Sequence, residues 1–310
     1  MKNHFLCWCC LGLFALLFSS CEKTVDINLS STEKLVVVEG VIETDQLPYV
    51  SLTNSIGFFD KIDLSAVNYV HQAQIQVLDL NTNQQITLRE YSVDTTIGSE
   101  TFSFNIYGPD ISDPVAMNFK GQVDHSYKLT ILSSGKTYEG VAKIPVTPPL
   151  DSVWIEPVPG RETEYAALKA LYSDPDSLGN AVRIETLLKK KNKTGDVERY
   201  LTSFNSVYDD GVINGTRIPL SIDLGYDKSK QYSQDEFQTL GYLHRGDTVT
   251  LKWSAIDRGV FKFWELLAIS AGSVGNPFAS PTKVQGNVKG ALGVWSAFSP
   301  IYYTVVDTLK

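Results

Sequence analysis

The sequence predicts an all-β fold, on three observations. Tyr, Thr, Val and Ile, the residues that suit a pleated surface, recur along the chain. Apolar residues alternate with polar ones over short runs bounded by Gly, Pro, Asn and Asp. A convincing helical spacing appears in one stretch only, Asp257 to Ala271. With 43% hydrophobic and 11% aromatic residues, the 310-residue chain has the material for packed cores. The predicted architecture is an N-terminal immunoglobulin-like or transthyretin-like β-sandwich, then a second β-rich domain with one amphipathic helix.

Residues 1–20 come first, and they read as an export signal: Lys2 supplies the positive start and Phe5 to Phe18 the apolar run. That run is too short to span a bilayer, for which roughly 20 residues are needed. All 4 cysteines of the chain, Cys7, Cys9, Cys10 and Cys21, lie at this end. Phe18-Ser19-Ser20-Cys21 resembles a bacterial lipobox, with Phe18 where Leu is usual, and the resemblance implies lipidation at Cys21 after the signal is cut away. One acyl chain holds a protein to a membrane only marginally, whereas two or more make the attachment stable. No disulfide would remain in the mature protein, so its cores must hold it together unaided.

Residues 21–33 form a polar tether. Glu22 and Asp26 within it resemble the acidic export signals of surface lipoproteins in Bacteroidetes. A sandwich domain is expected over 34–146. Leu35 to Ile42 is β-branched, and Ala73 to Leu80 places Ile75 and Val77 on one face. Gln85 to Glu90 follows the turn Asn81-Thr82-Asn83. Tyr127, Leu129 and Ile131 lead through Ser133-Ser134-Gly135-Lys136 into Thr137 to Ile144, which is the pattern of a hairpin. Pro145, Pro148 and Pro149 cannot continue a central strand, so the second domain is placed at 147–310. Strands are expected there at Ser152 to Ile155, Tyr165 to Tyr172, Ala181 to Leu188, Arg199 to Phe204 and Asp247 to Trp253. In the helix, Val260, Phe263, Trp264 and Leu267 make one apolar face, Asp257 an N-cap and Gly272 a stop.

A net charge of −8 argues against a nucleic-acid partner. Gly135-Lys136-Thr137 lacks the first glycine of a phosphate loop and sits in a hairpin. Asp174 to Asn180 is a fragment of a calcium-loop pattern, without its third acidic ligand, and reads better as an Asp/Pro/Gly turn. His71, His125 and His244 fall in no catalytic or metal-ligand motif. No catalytic residue, metal or cofactor is therefore expected, and the protein is read as not an enzyme. A hydrolase with spatially assembled carboxylates is the least favoured alternative.

Gly275 to Ser299 is the most specific stretch. Asn276-Pro277 ends the helix, Phe278 stands between Pro277 and Pro281, and Gly286, Gly290 and Gly293 allow tight turns before a strand with Val294, Trp295 and Phe298. Together with the lipobox, the early Leu35 to Ile42 strand, the Ser134 to Glu139 hairpin, the Pro148 to Val153 linker and Ser173 to Asp176, it resembles a Bacteroidetes lipoprotein family known as domain of unknown function 4249. The family hands over no catalytic residues. It implies an outer-membrane location, facing the exterior, and the company of TonB-dependent transporters. The expected function is a non-enzymatic accessory lipoprotein docked on an outer-membrane β-barrel, either a TonB-dependent transporter or an assembly or secretion complex. The alternative is a glycan- or peptide-binding module, which exposed aromatics would favour. Asn276, Pro277, Phe278, Pro281 and Trp295 are the expected partner-interface residues.

Overall fold

The computed structural model describes residues 34–55, 67–97, 100–191, 199–273 and 283–308, which belong to one compact unit. Cys21, the signal and the tether lie outside them.

The first half is built of β1 (Val36–Glu43), β2 (Tyr49–Asn54), β3 (Gln74–Asp79), β4 (Gln85–Ile97), β5 (Glu100–Pro109), β6 (Ser126–Ser133) and β7 (Lys136–Lys143), with a single helical turn α1 (Pro114–Met117). Alternation dictates the inward face: Ile75 and Val77 of β3, and Tyr127, Leu129 and Ile131 of β6, are fully buried. The β6–β7 connection has Ser134 at φ 49° and Gly135 at φ 74°, the paired left-handed conformations of a type I′ hairpin.

In the second half come β8 (Ser152–Pro157), β9 (Tyr165–Ser173), β10 (Ala181–Lys189), β11 (Val207–Asp209), β12 (Arg217–Ile222), α2 (Gln234–Phe237), β13 (Leu243–His244), β14 (Thr248–Ala255), α3 (Arg258–Ser273), β15 (Val288–Lys289) and β16 (Leu292–Val306). A 12-stranded sheet runs β11-β10-β14-β16-β1-β2-β5-β4-β3-β6-β7-β15, and a smaller 4-stranded sheet is centred on β9, which pairs with β8, β12 and β13. The all-β class is thus correct. Arg199 to Phe204, expected as a strand, is not one: it meets β10 at a single bridge, Leu201 to Thr186, while β11 pairs with β10 at Ala181 to Arg183.

The expected cut at 146/147 does not separate two successive bodies. The first half of β16 pairs in parallel with β1, from Val37↔Leu292 to Glu43↔Phe298, and the rest pairs with β14. Val288, Trp295 and Ala297 accordingly sit in the first core, with Val38, Ile42, Tyr127 and Leu129. Gly290 (φ 85°) and Gly293 (φ 94°) make the turn that delivers them, in a conformation other residues rarely adopt. The proline linker is also no loose hinge. Thr147 Oγ1 donates to the Ser299 carbonyl and accepts from Ala255 N, and Trp253 Nε1 donates to Pro148 O at 3.0 Å.

A second core lies between the two sheets, around Leu168, Tyr172, Leu243, Leu251 and Trp253. The third lies under α3, where Val260, Phe261 and Phe263 cover Val294 and Phe298. Asp257 caps α3 as expected, since its Oδ1 accepts from Val260 N at 2.9 Å. Its burial pushes this carboxyl above the usual range, against the hydrogen bonds that it accepts. Gly272 does not stop the helix, which runs on to Ser273.

Candidate functional site

Two features of the surface stand out, one in each half. The first is an arm. β4 and β5 pair over ten positions, from Leu88↔Pro109 to Ile97↔Glu100, but β3 reaches only as far as Leu88 on β4, and β2 meets β5 only at Tyr107. Beyond Glu90 and Tyr107 no other strand among the described residues pairs with either of them. Val93 and Phe104 are direct partners on this arm, and they remain 46% and 41% exposed. The base of the arm is fixed by polar contacts: Tyr107 Oη donates to Val70 O at 2.8 Å, and Glu90 Oε2 accepts from Gln72 N at 2.9 Å. Burial opposes the ionised form of Glu90, but the Gln72 amide and His71 outweigh it and hold its carboxyl below the usual range.

The second feature is a cavity of about 200 Å³ where the two sheets diverge. Val182 and Ile184 of β10, Tyr172 of β9, Ile218, Leu220 and Ile222 of β12 and Trp253 of β14 give it apolar walls. Beside it is a cleft of about 280 Å³, which has Ser203 and Asp223 in common with the cavity. Segment 201–206, the residues after β12 and the stretch around α2 build this cleft. Gly225 lets them meet, since a Cβ there would stand 2.0 Å from the Leu201 carbonyl oxygen. A capping box holds α2, with Ser233 N donating to Glu236 Oε2 at 2.8 Å and Glu236 N donating to Ser233 Oγ at 3.3 Å. The cleft wall is aromatic: Phe204, Tyr226, Phe237 and Tyr242 line it, with Phe204 51% and Phe237 63% exposed.

The carboxylates around the cavity differ in occupation. Asp174 accepts from Tyr172 Oη at 3.0 Å and from Gly215 N at 3.1 Å, so it serves the turn that the sequence predicted there. Burial raises the Tyr172 phenol, and Asp174 raises it further. Asp210 accepts from Gly179 N and Asn180 N, both at 2.7 Å. Asp209 pairs with Arg258 at 2.9 Å. Asp223 is left without such a partner among the described residues. The histidines are likewise placed apart: His71 on Glu90, His125 on Asp79 at 2.8 Å, and His244 against the Tyr165 ring at 4.8 Å.

Of the expected interface residues, Asn276, Pro277, Phe278 and Pro281 lie outside the described residues. Trp295 is a correction: it is 0% exposed, and its Nε1 donates to Tyr127 O at 3.0 Å in the first core. Its glycine-rich surroundings serve to bring a strand into that core. Neither the arm nor the cleft was singled out from sequence. A signal for the arm exists in the apolar alternation Tyr91, Val93, Thr95, Ile97, whereas the cleft's rings are scattered over segments with no period. No curated protein matches the chain. A family profile, described as a domain of unknown function (DUF4249), matches residues 22–300, and over that length the chain belongs to this family.

Proposed function

We propose that the protein is a lipid-anchored, non-enzymatic accessory lipoprotein of the outer membrane, facing the exterior and docked on a β-barrel protein such as a TonB-dependent transporter or an assembly or secretion complex. The observation that carries this reading is the arm of β4 and β5, with its exposed Val93 and Phe104 pair. A two-stranded ribbon with no further strand partner among the described residues and an apolar face is a surface that a partner chain completes. The lipobox at Cys21 supports the anchor. Its test is co-purification in mild detergent: the wild-type protein should bring a barrel protein with it, and Phe104→Ser should lose that partner while keeping its melting temperature. Cys21→Ala should leave the membrane fraction altogether. Equal recovery of the barrel by the Phe104→Ser protein would remove the arm from the interface.

A second reading, a module that binds glycan or peptide, is favoured by one observation: the exposed rings of Phe204 and Phe237 line a cleft and are not spread singly over the surface.

A further inference from the structure

The cavity between the sheets and the aromatic cleft beside it share Ser203 and Asp223, so they adjoin and are taken together as one depression. Among the described residues their lining contains Asp174, Asp209, Asp210 and Asp223, and no lysine, arginine or histidine. Three of these carboxylates are occupied, by backbone amides, by Tyr172 or by Arg258, and Asp223 is the one left to meet a ligand. A carboxylate flanked by Tyr226, Phe237 and Tyr242 is suited to a cation with an aliphatic stem, because ring faces attract cations as well as apolar groups.

The depression is also lined by two strands that, among the described residues, are each paired on one side only, β11 with β10 and β12 with β9. Backbone donors and acceptors therefore stand beside the apolar walls, an arrangement that an extended chain can use and a compact ligand cannot. Pro219 removes one donor from β12, which limits such pairing to a short segment.

We propose that this depression is a binding site for an extended peptide, in which a lysine or arginine side chain reaches Asp223 across the aromatic cleft while a neighbouring apolar side chain enters the cavity between Ile184, Leu220 and Trp253. The inference deepens the second reading above and rests on it. It is independent of the arm, so the two can fail separately.

The test uses the full-length chain in detergent micelles and fluorescein-labelled hexapeptides of alternating Val and Thr, with Lys, Gln or Glu at one central position. The Lys peptide should bind at least about tenfold more tightly than the Glu peptide, since a hydrogen bond to a charged group contributes at least that much. Asp223→Asn should weaken the Lys peptide by about tenfold, bring it level with the Gln peptide and leave the melting temperature unchanged. Leu220→Trp, which fills the cavity, should weaken all three peptides. Equal affinities for the Lys and Glu peptides, an Asp223→Asn protein that binds as the wild type does, or displacement by a neutral maltohexaose as effective as by unlabelled peptide would each overturn the proposal. So would the absence of binding by every peptide to a protein with a normal melting transition. If that happens while a barrel partner still co-purifies, the peptide site fails and the docking reading stands. Peptide binding without any barrel partner would mean the reverse.

Discussion

Two tryptophans on neighbouring strands show how the two cores differ. Trp295 of β16 and Trp253 of β14 are both buried, and both use Nε1 to bond a backbone carbonyl. Around Trp295 nothing is spare: a Cβ on Gly40, in the parallel partner strand, would come within 2.5 Å of its ring. Trp253 instead forms part of the wall of the cavity of about 200 Å³. Chain that arrives from the far end of the sequence plugs the first core, whereas the second is left open where β11 and β12 diverge. Close packing is thus concentrated on the side that joins the two ends of the chain. The opening falls on the side where a ligand could enter.

The largest expected effect breaks the closed core. Trp295→Ala removes a fully buried ring and its bond to Tyr127 O, and should cost about 3 to 5 kcal/mol. Because β16 continues from its pairing with β1 into its pairing with β14, chemical denaturation should show one transition, displaced as a whole. Two transitions, with only one of them moved, would mean that the halves unfold independently and that β16 does not couple them.

A somewhat smaller effect tests the joint between the regions. On β14, Trp253 points into the second core and Lys252 to the opposite face, where it pairs with Glu43 of β1 and lies 3.4 Å from Glu185 of β10. Lys252→Met would leave the largely buried Glu43 uncompensated and Glu185 with Arg183 alone, and should cost about 3 kcal/mol. Burial alone would lower the Lys252 pKa, but Glu185 and Glu43 outweigh it and hold the value above the ordinary 10.5. The stabilisation is therefore complete below about pH 10.5 and is lost as pH rises through the folded-state value. The gap between wild type and Lys252→Met, measured by urea unfolding, should be constant from neutral pH up to that limit and should narrow above it. A gap that widened in alkali would contradict this assignment of the charge.

How much of this was visible beforehand depends on sequence distance. The β6–β7 hairpin was legible because Ser134-Gly135 specifies its turn locally, and β1 and β3 because alternation shows within a few residues. The pairing of Leu292–Phe298 with Val37–Glu43 was not, since nothing local in either strand names a partner some 250 residues away. Trp295 was misread for the same reason. A glycine-rich, aromatic-bearing strand looks alike whether it faces a partner or plugs its own core. Arg199 to Phe204 has the residues of a strand, yet only Leu201 bridges to β10, at Thr186. The cleft draws Phe204 from segment 201–206 and Tyr226, Phe237 and Tyr242 from the β12–β13 connection that carries α2, and no spacing could have gathered them.

The smallest expected effect sharpens the comparison most directly, because it makes the same change in both cores. Leu129 is 0% exposed in the first core, and enlarging it with Leu129→Phe forces neighbours from their rotamers at about 1 to 3 kcal/mol. Leu220 faces the cavity, so Leu220→Phe adds its extra carbons to unfilled space between Ile184 and Trp253. Filling such space typically stabilises by about 0.5 to 2 kcal/mol, and here the lower end is expected because β12 has one pairing partner among the described residues. Guanidinium denaturation of the two variants beside the wild type should place them on opposite sides of it. The sign for Leu220→Phe is the decisive quantity, since it reads the space and not the chemistry of the residue. Were both variants destabilised equally, the sheets would meet in solution as tightly around Trp253 as they do around Trp295, and the contrast between a plugged core and an open one would disappear.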